Sequence, residues 1–226
     1  MVKSIKEEFN YPIFLNADHT YSFERVKEVI DAGFDSVIFD GANISFEENI
    51  KIAKQCVEYA RASGREVLVE GELGFIGQSS KILDGIPEGV SLDSKNLTDP
   101  EKAKEFVLET GVDMLAPAVG NIHGMMRGGV DPKLDIERIR KISDLVKIPL
   151  VLHGASGNSE DDLRKAIENG MPIVHINTEL RVAYKQGIMR SLQENPEEVA
   201  PYKFLRPAVL AMQEVVERKL KIFNNL

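Results

Sequence analysis

The chain has four histidines, His19, His123, His153 and His175, and each stands at or just beyond the end of an apolar run rich in Val, Ile or Leu. Neutral imidazole is a zinc ligand, and three protein nitrogens with one exchangeable position form a common catalytic zinc arrangement. His19, His123 and His153 are therefore candidates for such a set. His153 ends the run Pro149-Leu150-Val151-Leu152 and is followed by Gly154-Ala155-Ser156-Gly157. Residues this small let backbone approach a ligand and can turn successive N–H groups toward an anion. Asn177-Thr178 leads into a helical stretch whose amino end favours the same charge, so the two segments together suggest a phosphate cradle.

Carboxylates accompany the histidines. Asp18 precedes His19, Asp40 ends Ser36-Val37-Ile38-Phe39, and Glu70 and Glu72 share a strand face because side chains alternate. Acids buried together need cations or hydrogen bonds, and a metal ion supplies that compensation. Taken singly, each also reads as a cap or a salt-bridge partner, and this is the preferred reading of Glu70. Lys203 and Arg206 either bring charge to a phosphate or are solvated surface charge. The lone Cys56 lies in a helical pattern, excludes an intramolecular disulfide, fits a reducing cytosol and reads as a buried helix residue.

These groups need a scaffold that gathers strand ends. Strand-like runs near 12–17, 36–40, 66–72, 113–119, 148–153 and 172–177 alternate with amphipathic helical patterns, as in a parallel α/β fold. In such folds the loops after the strands share one face, where residues distant in sequence converge. Gly33, Gly64, Gly111 and Gly170 mark repeated helix-to-strand junctions and suit the left-handed helix-closing conformation. Thr98-Asp99-Pro100-Glu101 and Asn158-Ser159-Glu160 read as helix starts. Between Phe75 and Asn96 periodicity is lost, which fits a lid or binding loop and equally a solvated insertion. After His175 come helices at 179–193 and 207–223. Val209, Met212, Val216 and Leu220 are spaced as one packing or subunit-contact face of the second.

At 226 residues the chain suits a single domain with a substantial core, spanning residues 1–226. A net charge of -8 argues against a nucleic-acid partner. No signal-peptide core or membrane-length apolar stretch is legible, so a cytoplasmic location is expected.

In sequence order, Asn16-Ala17-Asp18-His19, Ser36-Val37-Ile38-Phe39-Asp40-Gly41, Phe46-Glu47-Glu48-Asn49, Val69-Glu70-Gly71-Glu72-Leu73-Gly74, Gly120-Asn121-Ile122-His123-Gly124, Leu152-His153-Gly154-Ala155-Ser156-Gly157 and Asn177-Thr178-Glu179-Leu180-Arg181 together resemble the class II, metal-dependent fructose-bisphosphate aldolase family. The resemblance implies a (β/α)8 TIM barrel in which His19, His123 and His153 hold a catalytic Zn2+. It makes Asp18 the acid/base at the substrate C4 hydroxyl and assigns Asp40 and Glu72 to a second divalent or monovalent cation. Gly124, Gly154, Ala155, Ser156, His175, Asn177 and Thr178 would surround the substrate and its phosphate. The implied reaction is reversible cleavage of a phosphorylated ketose to dihydroxyacetone phosphate and an aldehyde, through an enediolate that the metal stabilises. A homo-oligomer is expected.

Three features depart from the family pattern. Six of eight βα units are legible, residues 1–10 reading as the helix before the third strand, which would leave open apolar edges unless association closes them. The loop Gly77-Gln78-Ser79-Ser80-Lys81 lacks the expected acidic pair. His175 stands where asparagine is usual and Asn177 where aspartate or alanine is, which gives His175 either an acid/base or a hydrogen-bonding part. A metal- or phosphate-binding homologue without turnover therefore stays open beside the aldolase. A metal-independent sugar-phosphate isomerase would leave three histidines unexplained.

Overall fold

The computed structural model describes residues 2–78 and 80–226; Met1 and Ser79, the latter in the altered loop, lie outside the described residues. The chain runs through α1 (Val2–Phe9), β1 (Asn16–Thr20), α2 (Phe23–Ala32), β2 (Ser36–Phe39), α3 (Phe46–Ala62) and β3 (Leu68–Leu73). Next come β4 (Ile82–Leu83), α4 (Pro100–Thr110), β5 (Met114–Pro117), β6 (Met125–Met126), α5 (Ile136–Val146), β7 (Val151–Leu152) and α6 (Glu160–Glu168). Then follow β8 (Ile173–Val174), α7 (Thr178–Glu194), α8 (Pro201–Phe204) and α9 (Arg206–Phe223). Two compact units result, Met1–Phe75 with Asp93–Ala118 and Arg140–Val151, and Ile76–Leu92 with Val119–Ile139 and Leu152–Leu226.

The first unit is built on a parallel sheet in the order β1-β2-β3-β5, which a parallel bridge from Leu115 to Leu150 extends. Every residue of β2 is buried, as expected of a strand covered on both faces. Helices α2, α3 and α4 bury Val26 and Ile30, Ala53 and Cys56, and Ala103 and Phe106, at helical spacing. Gly71 lets Phe106 close on β3, since a Cβ there would stand 2.6 Å from its ring. Burial pushes the Cys56 thiol up to about 12, as befits an inert packing residue.

The helix junctions follow the sequence pattern, whereas one strand is shifted. Gly33, Gly64, Gly111 and Gly170 all have positive φ, and Asp99 and Ser159 cap α4 and α6 through their side chains. The run at 12–17, by contrast, is not a strand until Asn16. Pro12 has no N–H to donate, the Ile13 amide turns back to the Tyr11 carbonyl, and the Leu15 amide goes to the Asp35 carboxylate at 2.7 Å. At β7 and β8 only two residues each are strand, beside Pro149 and Pro172.

In the second unit β4 pairs in parallel with β6, so the irregular 75–96 stretch contains a strand. Helices α7 and α9 approach closely at Gly187, where a Cβ would lie 2.5 Å from the Cα of Ala208. Helix α9 buries Ala208, Val215, Lys219 and Ile222. The face read from periodicity is turned outward, with Val209 56%, Val216 44% and Leu220 48% exposed. Apolar residues on both sides of α9 make its period ambiguous, and the close contact at Ala208 decides which side is buried. No helix among the described residues is long and apolar enough to cross a membrane.

Candidate active site

The first unit gathers the acidic half of the expected site. His19 has φ 49° at the point where the β1–β2 register slips between Ala17 and Thr20. A left-handed non-glycine residue at a bulge re-aims its side chain. His19 Nδ1 lies 3.0 Å from Asp40 Oδ2 and 3.6 Å from Glu72 Oε2, and its Nε2 lies 3.8 Å from Asp18 Oδ1. Burial disfavours charge on this imidazole, but the Asp40 hydrogen bond and the charges of Asp18, Asp40 and Glu70 outweigh it and raise its pKa.

Glu72 is tied into the sheet by Asn49 of α3, whose Nδ2 donates to the Glu72 carbonyl at 2.9 Å. Its carboxyl is held well above the usual carboxylate range, first by burial and then by repulsion from Asp40, Glu70 and Asp18. Glu72 Oε2 is buried with no hydrogen-bond partner among the described residues. A cation fits this donor set, since it would bind the orphaned oxygen and offset the clustered negative charge. Glu70 is not a helix cap: it lies within β3, 1% exposed, two residues from Glu72 on the same face.

The second unit gathers imidazoles and backbone amides. The His123 amide donates to the Ile76 carbonyl, and His123 Nδ1 lies 2.5 Å from the Gly77 carbonyl oxygen. A carbonyl only accepts, so Nδ1 carries the proton in this tautomer. His153 is 1% exposed, with its ring centroid 5.9 Å from that of His123 and 4.3 Å from that of His175. Asn121 accepts the Val119 amide and donates to the His153 carbonyl at 2.9 Å, which fixes the backbone carrying His153. The His175 amide donates to the Leu152 carbonyl at 2.9 Å.

Gly154 has φ 64°, and a Cβ on it would strike the Ile122 carbonyl at 2.2 Å. Ala155–Gly157 then form a 3-10 turn, and Ser156 Oγ accepts the amides of Asn177 and Glu179, each at 3.3 Å. Asn177, the N-cap residue of α7, makes no side-chain cap of its own, and its Nδ2 reaches Ser80 Oγ at 3.5 Å instead. Ser156, Asn177 and Thr178 are thus brought together at a helix start that Ser156 caps from outside, where the helix dipole favours an anion. Gly124 has a packing reason of its own, because a Cβ there would meet the Lys81 carbonyl at 2.9 Å. Lys203 pairs with Glu198 at 2.9 Å and Arg206 is exposed, so both stand as surface charge.

Asn121, Asp131, Glu179, Lys219 and the Gly77 carbonyl were not singled out by sequence reasoning. Asn121 and Glu179 fall inside segments that carried the resemblance, and this was their only signal.

The class-II fructose-bisphosphate aldolase family model matches residues 1–226. A fructose-bisphosphate aldolase of Geobacillus stearothermophilus is 39% identical over 227 residues, covering 100% of this chain and 75% of that protein. The YdjI aldolase of Escherichia coli K12 superposes with a TM-score of 0.77 at 33% identity, over 97% of this chain and 72% of that one. A putative fructose-1,6-bisphosphate aldolase of Coccidioides immitis gives 0.78 at 32% identity, over 99% and 76%. The fold is accordingly α/β of the TIM-barrel type, its described strands hydrogen-bonded as a four-strand sheet and two pairs. Matched over its whole length by that family model, and 39% identical to a fructose-bisphosphate aldolase, the chain belongs to the class-II fructose-bisphosphate aldolase family of carbon–carbon lyases.

Proposed function

We propose that this protein is a zinc-dependent aldolase, a single catalytic domain acting in the cytoplasm as a homo-oligomer, that reversibly cleaves a fructose-bisphosphate-like ketose to dihydroxyacetone phosphate and an aldehyde. His19, His123 and His153 would hold the cation, with Asp40 and Glu72 at a second position. The observation that carries the reading is the Gly77 carbonyl on His123 Nδ1, which sets the tautomer suited to a metal ligand in an imidazole beside the buried His153. When bound, the cation supplies a Lewis acid that polarises the ketone and takes up the charge of the enediolate left when C3–C4 breaks. Asp18 moves the proton at the C4 hydroxyl. Ser156, held by the amides of Asn177 and Glu179 at the positive end of α7, orients the phosphate, and His175 beside His153 bears on the choice of sugar. The outward apolar residues of α9 support self-association.

The test is elemental analysis of zinc in the purified protein and in His153→Ala, with aldehyde release from fructose 1,6-bisphosphate and other phosphorylated ketoses. About one zinc per chain, lost in the variant, with cleavage of a ketose phosphate, is expected. A folded, zinc-supplied parent without metal or turnover would favour the non-catalytic homologue.

A further inference from the structure

We propose that Lys219 of α9 is a positioning residue for phosphate binding, which neutralises Glu179 at the amino end of α7 and so keeps the positive end of that helix, with the Ser156 hydroxyl set against it, receptive to an anion. The inference rests on the reading of Ser156, Asn177 and Thr178 as the phosphate cradle and names a residue that supports it from another helix.

Lys219 is 7% exposed on a helix face otherwise made of Ala208, Val215 and Ile222. An ammonium there loses hydration that an aliphatic side chain would not, so its presence requires a compensating charge. That charge is Glu179. Lys219 Nζ lies 2.9 Å from Glu179 Oε2, an ion-pair distance without hydrogen-bond alignment, and Arg218 pairs with the other carboxylate oxygen. The Glu179 side chain is itself only 15% exposed.

Glu179 is in the first turn of α7, and its own amide donates to Ser156 Oγ. A carboxylate there is favoured by the helix dipole, and for the same reason it competes with any phosphate for the positive end. The two cations of α9 cancel that competition. Asp131 adds a second buried acid, packed against Gly157 of the 3-10 turn. Its amide donates to the Gly157 carbonyl, its Oδ1 accepts the Met126 amide, and a Cβ on Gly157 would stand 2.2 Å from its carboxylate. The Lys219 charge also acts on Asp131. The buried ammonium therefore offsets Glu179 at the start of α7, and an arriving phosphate meets the positive end of that helix rather than an uncompensated carboxylate.

The experiment compares the zinc-loaded parent with Lys219→Met, Lys219→Arg, Glu179→Gln and the double variant Lys219→Met/Glu179→Gln. Binding of inorganic phosphate is read by calorimetry and folding by thermal unfolding. Lys219→Met is expected to weaken phosphate binding roughly tenfold or more, Lys219→Arg to retain most of it, and the double variant to recover to within about twofold of the parent. A purely structural lysine would not be rescued by deleting its partner's charge, so a weak double variant overturns the proposal. So does a Lys219→Met protein that binds phosphate as the parent does. If Lys219→Met does not fold, Glu179→Gln decides: binding at least as tight as the parent's supports the proposal, and weaker binding overturns it. A parent that binds zinc but no phosphate removes the cradle reading itself, and with it this role of Lys219.

Discussion

His123 Nδ1 lies 2.5 Å from the carbonyl oxygen of Gly77, so the loop after β3 selects the tautomer of a histidine that follows β5. The same loop takes the His123 amide at Ile76 and pairs β4 with β6 just beyond Gly124, which ties the stretch that sequence left irregular to the imidazole. Gly77 has φ 91°, and a Cβ would sit 3.1 Å from Pro87 Cβ, so a β-branched residue would move that carbonyl. Gly77→Val should weaken metal affinity about 10- to 100-fold, the usual effect of losing a partner that orients a ligand. Titration against a competing chelator measures this, and an unchanged affinity would dissociate the carbonyl from metal binding.

Asp18 stands beside His19 with its side chain 48% exposed, open to a substrate hydroxyl. Asp18→Ala should lower kcat by about 10²- to 10⁴-fold while zinc content stays near that of the parent. Loss of zinc together with activity would make Asp18 a determinant of metal binding instead.

Burial lifts the Asp131 carboxyl above its ordinary value against the lowering effects of the Met126 and Gly157 contacts and of Lys219. An acid with a raised folded pKa costs nothing while both states are protonated. It costs stability increasingly as pH rises from the unfolded value of 3.8 through the folded one. Asp131→Asn should therefore gain stability on the parent as pH rises from 4 to 7. Urea unfolding at the two pH values tests the sign, and a gain confined to pH 4 would contradict it.

Gly154 meets two demands at once, a left-handed φ of 64° and a carbonyl 2.2 Å from where a Cβ would lie. Gly154→Ala should cost about 2–4 kcal/mol, since the obstacle is Ile122 backbone rather than a flexible side chain. A urea midpoint close to the parent's would show that the turn can shift aside.

Local rules were legible where a residue's own chemistry decides the outcome. The four junction glycines take positive φ, and Asp99 and Ser159 cap their helices, because these preferences act within a turn of chain. The start of β1 was misread because the Leu15 amide is claimed by Asp35, twenty residues away. Whether the Val209, Val216 and Leu220 stripe of α9 packs inside the chain or faces outward was not legible, because apolar residues occupy both sides and the contact with Gly187 chooses between them.

By itself the sequence determined the parallel α/β class and the family, since ordered strand-end motifs and alternating periods are properties of the chain. Only the tertiary structure decided that the Gly77 carbonyl selects the His123 tautomer, that Glu72 Oε2 is buried with no hydrogen-bond partner among the described residues, and that Lys219 stands behind Glu179. Each of these depends on desolvation or on distances between segments far apart in sequence, and neither exists until the chain has folded.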